Sequence, residues 1–207
     1  MIYPIRYYGD PILRQKARPV TQFDDDLKQL AQDMLETLYD ASGIGLAAPQ
    51  IGIPKRLFIA IHTASNETKE APEVDAPEID ENSLSPEEKR KLWGVVEELI
   101  MVNPEILSRE GVQYGADGCL SLPGVWVDEI RRDDLIRVRY QDLEGELFER
   151  SFSGRFSHVI QHEYDHLEGI LFFDRLDNKE KFMKKNRQEL ADIQREAKYR
   201  LKELKRR

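Results

Sequence analysis

Gly154-Arg-Phe-Ser-His-Val-Ile-Gln-His-Glu-Tyr-Asp-His-Leu-Glu-Gly169 is the segment that organises the chain. Its apolar residues Phe156, Val159, Ile160, Tyr164 and Leu167 recur at helical intervals, and Gly169 stands where a helix would end, which predicts a helix over Gly154–Leu167. Within it, His162-Glu163-Tyr164-Asp165-His166 sets two histidines at i and i+4, one turn apart on one face. Both imidazoles can then converge on one metal ion. Glu163 stands beside the ion's open position, placed to accept a proton from water there. The plain alternative is a surface helix carrying the pattern by coincidence.

A catalytic zinc-type site takes three protein ligands and leaves a fourth position for water, so two histidines are insufficient. His158 continues the same row, but an ideal helix separates its Cα from that of His166 by roughly 12 Å. Packing or hydrogen bonding suits His158 better than ligation. No histidine occurs between Leu167 and Arg175, against the pattern of metalloproteases with a third histidine just downstream. Glu180, Glu189, Glu196 and Glu203 remain open as downstream ligands, although they lie in a basic, solvated-looking stretch. Cys119 is the other candidate, because a thiolate binds divalent transition metals strongly. A lone cysteine is otherwise commonly a small buried hydrophobe.

Outward from this helix, residues 23–41 place Leu27, Leu30, Met34, Leu35 and Leu38 at helical spacing behind Asp24 to Asp26, predicting an N-terminal amphipathic helix. Ser42-Gly-Ile-Gly-Leu-Ala-Ala-Pro-Gln-Ile-Gly52 breaks it into a loop or short extended segment. Arg56-Leu-Phe-Ile-Ala-Ile61 reads as a strand, regular structure resumes over 94–103, and 135–140 with 146–151 reads as a hairpin. Residues 62–92 carry three prolines with 9 Asp/Glu and 4 Lys/Arg, the composition of a mobile insertion that buries little. Residues 177–205 are strongly helix-forming. The expected fold is α+β: mixed, mainly antiparallel sheets around a central metal-binding helix, with an N-terminal and a C-terminal helix.

The 207 residues suit one catalytic unit over 1–176, followed by a basic C-terminal helix over 177–207. No apolar run reaches the roughly 18 residues that span a bilayer, and Met1-Ile-Tyr-Pro-Ile-Arg6 lacks the order of a signal peptide, so a cytoplasmic location without membrane partners is expected. The single cysteine excludes an intrachain disulfide and suits a reducing compartment. A net charge of −8 disfavours general nucleic-acid binding, yet residues 179–207 hold 12 Lys/Arg against 5 Asp/Glu, leaving −15 on the remainder.

Gly43-Ile-Gly-Leu-Ala-Ala-Pro-Gln-Ile-Gly52, Gly118-Cys-Leu-Ser121 and Gln161-His-Glu-Tyr-Asp-His-Leu-Glu-Gly169 resemble, in order, the three motifs of the peptide deformylases. The resemblance implies metal-dependent removal of the formyl group from the N-terminal formyl-methionine of nascent polypeptides. It assigns Cys119, His162 and His166 to the metal, Glu163 to proton transfer, and the Gln50 amide with the Leu120 backbone N–H to the oxyanion. It also implies that substrate adds as a strand along Ile44 and Gly45, with its methionine in an apolar pocket near Ile44, Val159 and His162.

The ligand set is compatible with Zn2+, while the resemblance favours Fe2+, with Ni2+ and Co2+ as further fits. Asp117 stands where the family usually has glutamate, with Arg131 the expected counterpart of its structural arginine, and the 62–92 excursion is absent from compact members. The basic tail resembles the helix by which some deformylases dock on the ribosome; a solvated helix packed through Phe182, Ile193, Ala197 and Leu204 is the alternative. Two rival functions stay open from the residues: a zincin-type endopeptidase, and a binding protein without turnover.

Overall fold

The computed structural model describes residues 1–64, 80–204 and 206. Five helices are present among them: α1 (Asp25–Asp40), α2 (Pro86–Leu92), α3 (Gly154–Leu167), α4 (Lys179–Lys185) and α5 (Arg187–Leu204). Strands β1 (Gly45–Ala47), β2 (Leu57–Thr63), β3 (Val95–Glu110), β6 (Leu135–Gln141) and β7 (Leu147–Ser153) form one sheet in the order β1-β2-β3-β6-β7. A second sheet pairs β4 (Gln113–Gly118) with β5 (Trp126–Arg132), and every ladder is antiparallel.

Strand β2 is apolar nearly throughout because both of its faces are covered. Leu57, Ile59 and Ile61 join Leu27, Met34 and Leu38 of α1 in one cluster. The alternate residues Phe58 and Ala60 join Phe156, Val159, Ile160 and Leu167 of α3 in another. This is the period-2 alternation of a strand read against helices on both sides. Burying one such side chain stabilises by about 1.5–3 kcal/mol, which fixes the register of β2 and holds α3 against the sheet.

The α1 start follows its sequence cue: Asp24 accepts from the Leu27 N–H at 3.0 Å. Helix α3 ends as predicted, with the Gly169 N–H donating to the His166 carbonyl and that of Ile170 to Asp165. A third cluster seats the C-terminal segment: Phe182, Leu190 and Ile193 pack with Phe172, Leu122 and Ile130. That segment is not one continuous helix. At Asn186 the side chain donates to the Phe182 carbonyl at 2.9 Å, and the chain turns from α4 into α5. No helix of the described residues is long and apolar enough to cross a membrane.

The expected 62–92 excursion is corrected at both ends. His62 and Thr63 complete β2, and 86–92 is α2, started by Ser85 and Glu88 in a reciprocal capping box with Pro86 in the first turn. Local capping overrode the acidic composition there. Glu81–Ser83 form a further short helical turn, and residues 65–79 of that expectation lie outside the described residues.

Candidate metal centre

The turn after β4 brings Cys119 to α3, where a ligand atom of Cys119, one of His162 and one of His166 all lie within 4.8 Å of one another. Cys119 Sγ is 3.3 Å from His166 Nε2, and the two imidazole rings are 5.0 Å apart. His162 Nδ1 is engaged by Asp117 Oδ1 at 2.8 Å, which leaves Nε2 facing the group. One thiolate and two imidazoles at this spacing fit a divalent transition ion. Among the described residues this is the one such grouping, and Glu180, Glu189, Glu196 and Glu203 are outside it.

Asp117 organises the surroundings. Besides His162 it meets His158 Nε2 at 3.1 Å and Arg132 at 3.0 Å, all of them buried. Burial alone would raise its carboxyl pKa, but the two imidazoles outweigh that and hold it well below the usual carboxylate range. Arg132 continues to Asp165 on α3 at 2.5 Å, and Asp165 accepts from Arg175 at 2.6 Å. The arginine paired with Asp117 is therefore Arg132, correcting the expectation of Arg131. Neighbouring strand residues point to opposite faces, and Arg131 is exposed while Arg132 is inside. His158 stands beside Asp117, outside the three-residue group.

Burial disfavours a charged His162, yet Asp117 and Cys119 together raise its pKa well above the ordinary imidazole value. His166 goes the other way, lowered by burial and by the charge of His162. Glu163, 3% exposed, is pushed up from 4.5 to about 7, chiefly by burial. Its Oε2 has no hydrogen-bond partner among the described residues. Gly45 lies so close that a Cβ added there would stand 2.3 Å from Glu163 Oε1, so any larger residue at 45 must displace Glu163 or the strand.

Gln50 is buried in the short helical turn Ala48–Ile51. Its Oε1 accepts from the Ala47 N–H at 2.7 Å, which turns Nε2 toward Cys119 Sγ at 3.5 Å and Ser121 Oγ at 3.4 Å. The Cys119–Val125 turn is closed by Leu122 N–H to the Cys119 carbonyl and Val125 N–H to the Leu122 carbonyl, and Leu120 lies inside it.

These groups share one cavity of about 560 Å³, lined by Ile44, Gly45, Gln50, Cys119, Leu120, Val159, His162 and Glu163, with His166 behind the wall. β1, which follows Ile44, is an edge strand of the larger sheet, so it offers its outer side to an added strand. The pocket is less apolar than expected, because Arg155 and His158 line it beside Ile44 and Val159. Arg155 is one helical turn before Val159, a spacing signal the sequence carried but the motif did not cover. Arg132 and Asp165 were likewise missed as a pair, since only the fold brings β5 to α3.

Residues 2–182 match the family model of polypeptide deformylase. The chain is 48% identical to a peptide deformylase of Thermus thermophilus over 99% of this chain and 98% of that protein. The crystal structure of a Thermus thermophilus peptide deformylase superposes with a TM-score of 0.79 at 45% identity, covering 95% of this chain and 99% of that one. The Thermotoga maritima peptide deformylase structure does so at 0.68 and 36%, covering 86% and 99%. With a full-length relative, a matching architecture and a shared family model in agreement, this chain belongs to the peptide deformylase family.

Proposed function

We propose that the cavity binds the formyl-methionyl end of a nascent polypeptide and hydrolyses the formyl amide, with water consumed and formate and the free N-terminal amine released. The observation that carries this reading is the convergence of Cys119, His162, Glu163 and Gln50 on one cavity at the edge strand β1, with His166 completing the three-ligand group. Cys119, His162 and His166 would hold one divalent ion, with Fe2+ favoured by family resemblance and Zn2+, Ni2+ or Co2+ compatible with the donors. When bound, such an ion supplies a Lewis acid that brings the pKa of water from about 15.7 to about 7.

The protein's own residues divide the remaining work. Glu163, with a pKa near 7, is suited to take a proton from the attacking water and give it to the departing amine. The Gln50 Nε2 and the Leu120 N–H donate to the oxygen of the former carbonyl as its negative charge develops, each such donor being worth about 2.7–4 kcal/mol. Ile44 and Gly45 align the peptide through backbone bonds, and Val159 with Ile44 contacts the methionine side chain. The test is formate release from a formyl-Met peptide: Glu163→Ala should lower kcat by about 100-fold or more with metal still bound. Substantial residual turnover would remove Glu163 from its role.

Two further proposals go with this reading. The reaction takes place in the cytoplasm, where a single unpaired thiol stays reduced. The basic C-terminal segment contacts the ribosome through its +7 charge.

A further inference from the structure

Helix α1 ends without a basic residue in its last turn, although carbonyls there face outward and the helix dipole is negative. The missing cation comes from α2. Lys89, 2% exposed, donates to the Tyr39 carbonyl at 2.5 Å and to Ser42 Oγ at 3.0 Å. Ser42 is a non-glycine residue at φ 50°, a left-handed conformation that must be held by its surroundings. The Ser42 and Gly43 N–H groups in turn donate to the Tyr39 and Leu38 carbonyls, which winds the chain tightly into Ile44 and Gly45.

Two more contacts fix α2 at this corner. Trp93, its C-cap, stacks on Tyr39 with ring centroids 5.6 Å apart, and Arg90 pairs with Glu98 at 3.2 Å, the same carboxylate that accepts from the Tyr39 hydroxyl. A Cβ at Gly43 would stand 2.8 Å from Leu120 Cδ1 and from Leu38 Cδ1, so the bend packs against the Leu120 side chain of the Cys119 turn.

We propose that Lys89 is a positioning residue for substrate binding: from α2 it braces the strained Ser42 bend and so sets the strand edge at Ile44 and Gly45. Lys89 touches neither the metal ligands nor the cavity, and acts through Ser42. The proposal rests on Ile44 and Gly45 being the backbone partners of the peptide, and it gives α2 a task in substrate binding.

The test uses the metal-loaded full chain and the tripeptide formyl-Met-Ala-Ser, with wild type, Lys89→Met, Ser42→Ala and the double variant. Lys89→Met should raise KM about tenfold with kcat within about twofold, and the double variant should be no worse than Lys89→Met alone, the non-additivity of residues acting as a unit. Hydrogen exchange at the Ser42 and Gly43 amides should quicken about tenfold or more in Lys89→Met. A lower Tm with KM and exchange unchanged, or additive effects on KM, overturns the proposal. If Lys89→Met does not fold, Ser42→Ala decides, since Lys89 keeps its bond to Tyr39: KM and Gly43 exchange equal to wild type overturn the brace. No formate release by wild type would instead sink the functional reading, while the exchange measurement still reports on the brace.

Discussion

Gly45 and Glu163 touch: an atom added to the first would sit 2.3 Å from Oε1 of the second. The strand edge and the buried Glu163 carboxylate therefore share one surface. Gly45→Ala must push Glu163 aside or displace β1, and a misplacement near 1 Å costs about 100-fold in rate. The expected result is a kcat lowered by about that factor with metal content unchanged. A kcat close to wild type would show that the cavity absorbs the methyl group.

Glu163 also makes stability depend on pH in the metal-free protein. Its folded pKa is about 7 against an ordinary 4.5, so the folded state holds this proton more tightly than the unfolded chain. The resulting stabilisation is fully present below pH 4.5 and is lost as pH rises to about 7. Above that, a buried carboxylate costs up to about 3 kcal/mol. Urea unfolding should find metal-free Glu163→Gln more stable than wild type at pH 8, with the gap shrinking toward pH 5. A gap that widens on acidification would contradict the assigned direction.

Asp117 orients His162 and, with Cys119, raises its pKa against the effect of burial when no metal is present. Metal binding competes with protons for the His162 imidazole and the Cys119 sulfur, so affinity should rise with pH and binding should release protons. Asp117→Asn removes the anionic partner and should weaken metal binding about 10–100-fold, read by competition with a chromophoric chelator. Asp117→Glu restores the charge with one more methylene; formate release reduced by more than about tenfold would show that the turn is built around the shorter side chain.

The C-terminal segment offers a separate test. Its apolar residues Phe182, Leu190 and Ile193 are spent on the core, leaving the charged faces of α4 and α5 for a polyanion. Co-sedimentation with ribosomes should weaken steeply as salt rises. Salt-insensitive sedimentation, or none, would count against docking by charge.

How much of this was legible beforehand depended on range along the chain. The His162–His166 spacing is local, so the helix limits and the two-histidine face could be read directly. Strand β2 shows no apolar–polar alternation; its run Leu57, Phe58, Ile59 is apolar on both faces, and composition alone did not say which helix covers which. β4 and β5 escaped notice because Gly115 and Gly118 interrupt one and Asp128, Glu129 and Arg131 load the other with charge. Lys89 was the least visible residue: a lysine within Glu87-Glu-Lys-Arg-Lys91 looks solvated, and its burial is created by the end of α1, some 50 positions earlier.

Cys119 is the chain's single sulfhydryl and stands half-buried at the cavity wall. A sulfenic acid formed there has no second cysteine in the chain with which to condense, so no intrachain disulfide can protect it from further oxidation, which makes the loss permanent. The same solitude makes the sulfur a counter: in metal-free protein any thiol-directed dye labels between zero and one position per chain, and its colour yield reports the share of molecules whose sulfur is still reduced.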